Sequence, residues 1–466
     1  MSYMRVINLC CFILFLFGTA VKGKVVLPAV IDNNMVLQQK SEVALWGKAK
    51  SNSKIKITTS WNKRSYVTQA NGDSLWRVMV STPEAGGPFA ITFDDGEKLV
   101  LNNILIGEVW ICSGQSNMSM PVIGLKNQPI AGANDFLLDA DNPKIRLFQI
   151  QRQYSLRPEF DCKASPWIEA NSESVANFSA VGYFYAKILQ EKLQVPVGII
   201  QTAWGGTRIE AWTGASSLDS LHFKSQSGKS KVNQHTPSAL YNAMINPIVG
   251  FGIKGLLWYQ GEANRVNYHQ YDRLMEAMVK GWRSVWNLGN LPFYYVQIAP
   301  FRYDGKDKSP FLREAQLKAS TLIPNSGMVV SLDVGKEAFI HAPDKFTIAK
   351  RLAFWSLAND YGISKLAYAS PVYKSHKITN DTVIISFANA KYGLSSFGKE
   401  LSAFEVAGAD KVFYPAKATI VSQGVKVQSE HVKEPIAVRY AFKDWVIGDL
   451  YNTEGLPASS FRTDNW

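Results

Sequence analysis

The chain has 466 residues, 46% of them hydrophobic, 19% charged and 12% aromatic, a balance that excludes a collagen-like or intrinsically disordered protein. At about 100–200 residues per domain, this length predicts roughly two to three domains. The formal net charge is +12, or +10 once Arg5 and Lys22 leave with an N-terminal leader. The basic residues are scattered without a Lys/Arg block, so nucleic acid is not an expected partner; an acidic glycan or a plain basic surface fits better.

The first 23 residues stand apart. "MSYMRVINLCCFILFLFGTAVKG" carries Arg5, an apolar run over 6–17 and then small residues, the layout of a cleaved secretory signal peptide. The run is shorter than the ~20 residues of a membrane span. An exported protein is therefore expected, periplasmic or secreted, with no membrane span after signal removal. Cys112 and Cys162 remain in the mature chain. Export permits a disulfide between them, but Cys112 ends a predicted buried strand, where a free thiol is at least as much expected.

Residues 24–103 have an all-β texture. "KIKITTSW", "SLWRVMV" and "FAITFDDGEKLVL" are separated by "NGD" and "EAGGP" turns, which predicts a β-sandwich. Over 104–365 the rhythm becomes strand then helix. Strands are expected over 104–111, 196–201, 253–259, 292–298 and 328–332, and helices over 181–192, 268–286, 311–321 and 343–359. Such alternation implies an α/β, doubly wound, flavodoxin-like core with a parallel sheet. Ligands of that architecture bind beyond the carboxyl ends of the strands. Residues 366–466 return to strands, with "TVIISF", "KATIVSQGVKVQ" and "AVRYAF", and form a third, β-rich segment.

Four polar loops leave the same predicted sheet edge. "CSGQSNM" follows the first core strand, "WGGT" the second and "QGEAN" the third, and His341 follows the fifth by a loop. Singly, each reads as a helix cap or a tight turn; recurrence at successive strand ends points to a site. Ser116 at a strand-to-helix turn would offer its own N–H to an oxyanion. Gly205 or Gly206 would offer a second N–H, because glycine lets the backbone approach closely. The Gln260 amide would offer a third. Of the six histidines, only His341 follows a core strand and precedes a helix, where it would take the Ser116 proton.

The blocks "GEVWICSGQSNM", "TAWGGTRIEAW", "WYQGEAN" and "IHAPDK", with "NNMVLQQ" near the start and "GLPASSFRTDNW" at the end, resemble the sialate O-acetylesterase family within the SGNH-type hydrolases. The resemblance implies a serine esterase that removes acetyl groups from sugar hydroxyls through an acetyl-serine intermediate, most of all from O-acetylated sialic acids. Relatives acting on plant polysaccharides such as xylan or xyloglucan keep that alternative open. By the same resemblance Ser116 is the nucleophile and His341 the base and acid. Gly205 or Gly206 and Gln260 complete the oxyanion hole. Gln115, Asn117, Trp204, Arg208 and Glu262 are candidate substrate contacts.

The chain departs from the D-x-x-H pattern of many SGNH enzymes, because Ala338 holds the acid's position. Glu337, Asp333 or a backbone carbonyl is then left to orient His341, or the pair acts as a dyad. No His/Cys/Asp cluster has ligand spacing, so neither a metal nor another cofactor is expected. Two rivals remain. A glycosidase would use a carboxylate pair such as Glu210 and Glu262. A non-catalytic carbohydrate-binding protein would stack sugar on Trp204, Trp212 or Trp258.

Overall fold

The computed structural model describes residues 24–223, 231–303 and 307–466; the expected signal peptide lies outside the described residues. Six parallel strands form the core sheet: β1 (Lys98–Gly114), β2 (Asn142–Gln149), β3 (Val197–Ala203), β4 (Gly255–Tyr259), β5 (Phe293–Val296) and β6 (Ser326–Val329). They lie side by side in the order β2-β3-β1-β4-β5-β6. Five of the six fall where apolar runs place them. β2 was not expected. Its sequence "NPKIRLFQ" carries Pro143, Lys144 and Arg146, which read as surface. Arg146 is nonetheless buried, with its guanidinium 3.0 Å from Glu169 and donating to the Pro143 carbonyl.

The strands are apolar on both faces because both faces are covered. Helices α1 (Ala180–Leu193) and α2 (Lys345–Asn359) pack together on one face, with Phe184, Leu189, Ile348 and Leu352 buried against the sheet. Helices α3 (Tyr271–Trp286) and α4 (Ser309–Leu322) cover the other with Leu274, Met278, Trp282 and Leu312. A parallel sheet needs this double cover, since neither face can meet water. Cys112 lies in β1, fully buried, and Cys162 is buried elsewhere; both are free, and burial pushes each thiol up to about 12. No helix among the described residues is long and apolar enough to cross a membrane.

The flanking segments are β-structured. Glu42–Lys48 pairs with Leu75–Ser81, while Lys54–Thr59, Ser65–Gln69 and Gly86–Asp94 join a second sheet that runs on into β1. Position 103/104 therefore falls inside one continuous strand. Beyond α2, the chain builds two four-stranded antiparallel sheets and a two-stranded one. This last segment docks on the core through buried polar contacts. Fully buried Arg313 donates to the carbonyls of Lys443 (2.5 Å) and Ala441 (3.3 Å), and Gln297 donates to Ser459 at 2.9 Å.

Replacing Arg313 with Met would leave those two carbonyls without a donor. Each orphaned buried acceptor costs ~1–3 kcal/mol, so a loss of at least about 2 kcal/mol is expected. The urea midpoint reads it; an unchanged midpoint would mean that the segment docks without this residue.

Candidate active site

The site begins at the carboxyl end of β1. Gly114 has φ 139°, and a Cβ there would sit 2.1 Å from the Tyr259 carbonyl oxygen, so only glycine permits the turn. The Gln115 N–H donates to that same Tyr259 carbonyl at 3.0 Å, and the Gly114 carbonyl accepts from the Trp204 N–H at 3.1 Å. The ends of β1, β4 and β3 are thus stitched to one another. Ser116 opens a single helical turn, Ser116–Ser119, and is half-buried. Gly205 abuts it: a Cβ on Gly205 would lie 3.2 Å from the Ser116 Cβ. Among the described residues, neither the Ser116 nor the Gly205 N–H donates to a protein acceptor. Gly206, at φ 73°, is exposed with open space around it. It shapes the turn, and Gly205 is the glycine against the serine.

Gln260 departs from its expected role. It is fully buried, and its amide nitrogen lies 2.8 Å from Asn264 Oδ1, 3.0 Å from the Thr207 carbonyl and 3.2 Å from Gln115 Oε1. Its Oε1 accepts from the Tyr271 hydroxyl at 2.8 Å. An amide has two N–H groups, and both are spent inside the protein. Gln260 therefore ties loops together and is no oxyanion donor, leaving two backbone donors beside Ser116.

Three candidate substrate contacts are likewise braces. Buried Gln115 accepts from the N–H groups of Gly261 (3.4 Å) and Ala263 (3.2 Å). Buried Asn117 donates to Glu262 Oε1 at 2.5 Å and to the Ile340 carbonyl at 3.1 Å, and accepts from Lys345 Nζ. Glu262 is held by that contact, while its Oε2 is buried without a partner; burial raises its pKa, with Asn117 and Lys345 opposing. Trp204 and Arg208 differ. Trp204 is half-buried and stacks on Tyr154, with ring centroids 6.3 Å apart, and Arg208 is exposed.

The Asn117–Ile340 bond brings the His341 loop to the Ser116 turn. His341 is half-buried, and its Nδ1 meets Gln128 Oε1 at 2.5 Å. Gln128 sits on a loop zipped to the histidine's own by the Ala131 N–H on the Pro343 carbonyl, at 3.0 Å. With Nδ1–H donating to this amide oxygen, Nε2 is the free, basic nitrogen. Neither expected acid reaches the histidine. Asp333 forms a two-point ion pair with Arg351 at 2.8 and 2.6 Å, and Glu337 pairs with Arg302 at 3.0 Å on the surface. Sequence reasoning missed Gln128, which is neutral and lies in no pattern. It also left Lys345 unassigned inside "IHAPDK". Lys345 is fully buried, and burial lowers its pKa to about 7.

The rival sites do not assemble. Glu210 is buried and accepts from Asn264 at 2.9 Å, and Glu262 is held by Asn117, so each carboxylate is tied to a neighbouring amide. Trp212 and Trp258 are fully buried, edge to face at 6.3 Å, and present no face to a sugar. Among the described residues, no group of three or more His, Cys, Asp or Glu side chains is placed to hold a metal ion.

Burial first, and then the Lys345 charge, depress the His341 pKa to about 4. Both act against the imidazolium, so the neutral ring persists well below its usual midpoint near 6.5. An NMR titration of the His341 ring should give a midpoint well under 6, and Lys345→Met should raise it. A wild-type midpoint at 6.5 would contradict this electrostatic picture.

The family model described as "Carbohydrate esterase, sialic acid-specific acetylesterase" matches residues 106–354, which hold every residue of the site. Sialate O-acetylesterase of Homo sapiens is 30% identical across 73% of this chain and 72% of its own length. That of Pongo abelii is 27% identical across 89% and 87%. A carbohydrate acetylesterase from Xanthomonas citri superposes with a TM-score of 0.88 at 32% identity, covering 95% of this chain and all of that one. The chain therefore belongs to the sialic acid-specific acetylesterase family of carbohydrate esterases and is an ester hydrolase.

Proposed function

We infer that this esterase is an SGNH-type serine hydrolase that removes O-acetyl groups from sugars, with acetylated sialic acids as its main substrates. The observation that carries the reading is that Ser116 stands with two N–H groups that meet no acceptor among the described residues, and that the Asn117–Ile340 bond ties its turn to the loop of a histidine whose Nδ1 is already engaged. Leaving out β2, the strand order β3-β1-β4-β5-β6 is that of doubly wound folds with ligands at the strands' carboxyl ends, which supports the SGNH assignment. The flanking β segments, about 24–103 and 366–466, brace this core, the first of them through the long strand that it shares with the core sheet. The leader over 1–23 directs export to the periplasm or medium.

In the proposed cycle, Ser116 Oγ attacks the acetyl carbonyl carbon while His341 Nε2 takes its proton. The oxyanion rests on the N–H groups of Ser116 and Gly205, which exist in place before the charge develops. A single helical turn has almost no dipole to add, so these two donors carry the stabilisation. The tetrahedral adduct collapses, the C–O bond to the sugar breaks, and His341 returns the proton to the sugar oxygen. Water then attacks the acetyl-serine, giving its proton to His341. Acetate leaves, and the proton goes back to Ser116 Oγ. Gln128 plays the orienting part that an aspartate plays in a triad. Its neutral oxygen fixes the ring and tautomer but stabilises the imidazolium less than a carboxylate would.

The relatives' printed activities favour sialic acid for the sugar, and the Xanthomonas protein supports the acetyl bond more broadly. Acetate release from a panel of acetylated sialic acids and acetylated xylan fragments tests this; faster turnover of xylan would reassign the substrate. Ser116→Ala should lower kcat by about 10⁴-fold or more, and activity within tenfold of wild type would remove it as nucleophile. Gln128→Ala should lower kcat by about 10²-fold, part of what general acid–base catalysis contributes, with KM little changed. Asp333→Asn and Glu337→Gln should leave kcat of the folded enzyme near wild type. A large loss in either one would return the orienting role to a carboxylate.

A further inference from the structure

Past the loops of the site lies a cavity of about 1060 Å³ that neither Ser116 nor His341 lines. Two of the loops that converge on the serine continue as its walls. The first, past "WGGT", supplies Arg208 and runs to His222. The second, past "QGEAN", supplies His269 and Arg273, and a third stretch closes it with Lys231 and His235. All six of these side chains are exposed. Arg273 is paired with Glu276 at 3.0 Å, whereas Arg208 and Lys231 make no ion pair among the described residues. Glu210 is the one carboxylate among the lining residues, and it is buried and committed to Asn264.

The groove is thus lined by Arg208, Lys231 and Arg273 with no free carboxylate among the lining residues to balance the first two, and a concave wall of one charge sign concentrates counter-ions. Its volume stands at the upper end of the ~300–1,000 Å³ of ordinary small-molecule sites, with room beyond a single sugar ring. Phe223, Leu221 and Val266 add apolar surface, as sugar rings require beside their hydroxyls. Arg208, two residues past Gly206, joins this wall to the loop that carries Gly205.

We propose that this groove is an extended subsite for further units of an acidic glycan, binding anionic groups on sugars adjacent to the acetylated one. The proposal rests on the esterase reading for its orientation. The anion is a carboxylate or a sulfate ester, since Arg and Lys pair with either. The enzyme then prefers acetyl groups on an acidic oligomer to those on a neutral one of the same length.

The test uses full-length mature Ser116→Ala protein, so that ligand is not consumed, and reads binding by calorimetry. The probes are an oligogalacturonate (carboxylate), a sulfated galactan oligomer (sulfate) and a neutral xylo-oligosaccharide, matched in length. At least one acidic probe should bind about tenfold or more tightly than the neutral one, and its affinity should fall as salt rises, because exposed charges are screened. Adding Arg208→Glu and Lys231→Glu should remove that advantage. Equal affinity for acidic and neutral probes overturns the proposal without any variant, and so does a charge-reversed protein that binds the acidic probe as tightly as its parent. Turnover of p-nitrophenyl acetate by the wild type, which needs the serine but no glycan subsite, reports the esterase reading separately.

Discussion

The site depends on the turn at Gly114. A long strand must end, reverse direction sharply and present a serine within three residues, against the backbone of its neighbour. That is sterically open only to glycine at this φ, since a side chain would meet the Tyr259 carbonyl at 2.1 Å. Once the turn is made, the backbone bonds from Gln115 to Tyr259 and from Trp204 to Gly114 fix the three central strand ends together. The serine is then held by the sheet itself and not by a free loop. Positioning of this kind is what keeps reacting groups within tolerance.

Around that turn the side chains sort into two layers. Gln115, Gln260 and Asn264 form a buried amide network, and buried Asn117 is held by Glu262, the Ile340 carbonyl and Lys345. Buried polar groups are tolerable only when paired, and here the pairing also links the loops after β1, β3, β4 and β6. The outer layer, Ser116, Gly205, His341 and Trp204, keeps its exposure. Lys345 joins the two layers. It is bonded to Asn117 from within and, with burial, keeps His341 unprotonated.

Much of this was legible in the sequence, and the failures have physical causes. Apolar runs mark five core strands because double-sided burial leaves no polar alternation to confuse them. β2 escaped because Arg146 reads as surface, while in the fold Glu169 accompanies its charge. The convergence of four polar loops at one sheet edge follows from strand order alone. Which atoms face the substrate does not: Gln260 stands in its expected loop but turns inward, because Tyr271, Thr207 and Asn264 bind it there. Asp333 sits close in sequence to His341, yet Arg351, a full loop and helical turn later, claims it. Gln128 lies 213 residues before the histidine it contacts, with nothing in its composition to single it out.

The central claim is that Ser116 is the nucleophile, activated by a histidine that an amide orients. Covalent trapping tests it most directly. The mature wild-type enzyme is treated with a fluorophosphonate and digested, and its peptides are weighed by mass spectrometry. The account predicts one adduct per chain, on the peptide bearing Ser116, with acetate release lost in step with labelling. Labelling of another residue, or loss of activity with the Ser116 peptide unmodified, would contradict it.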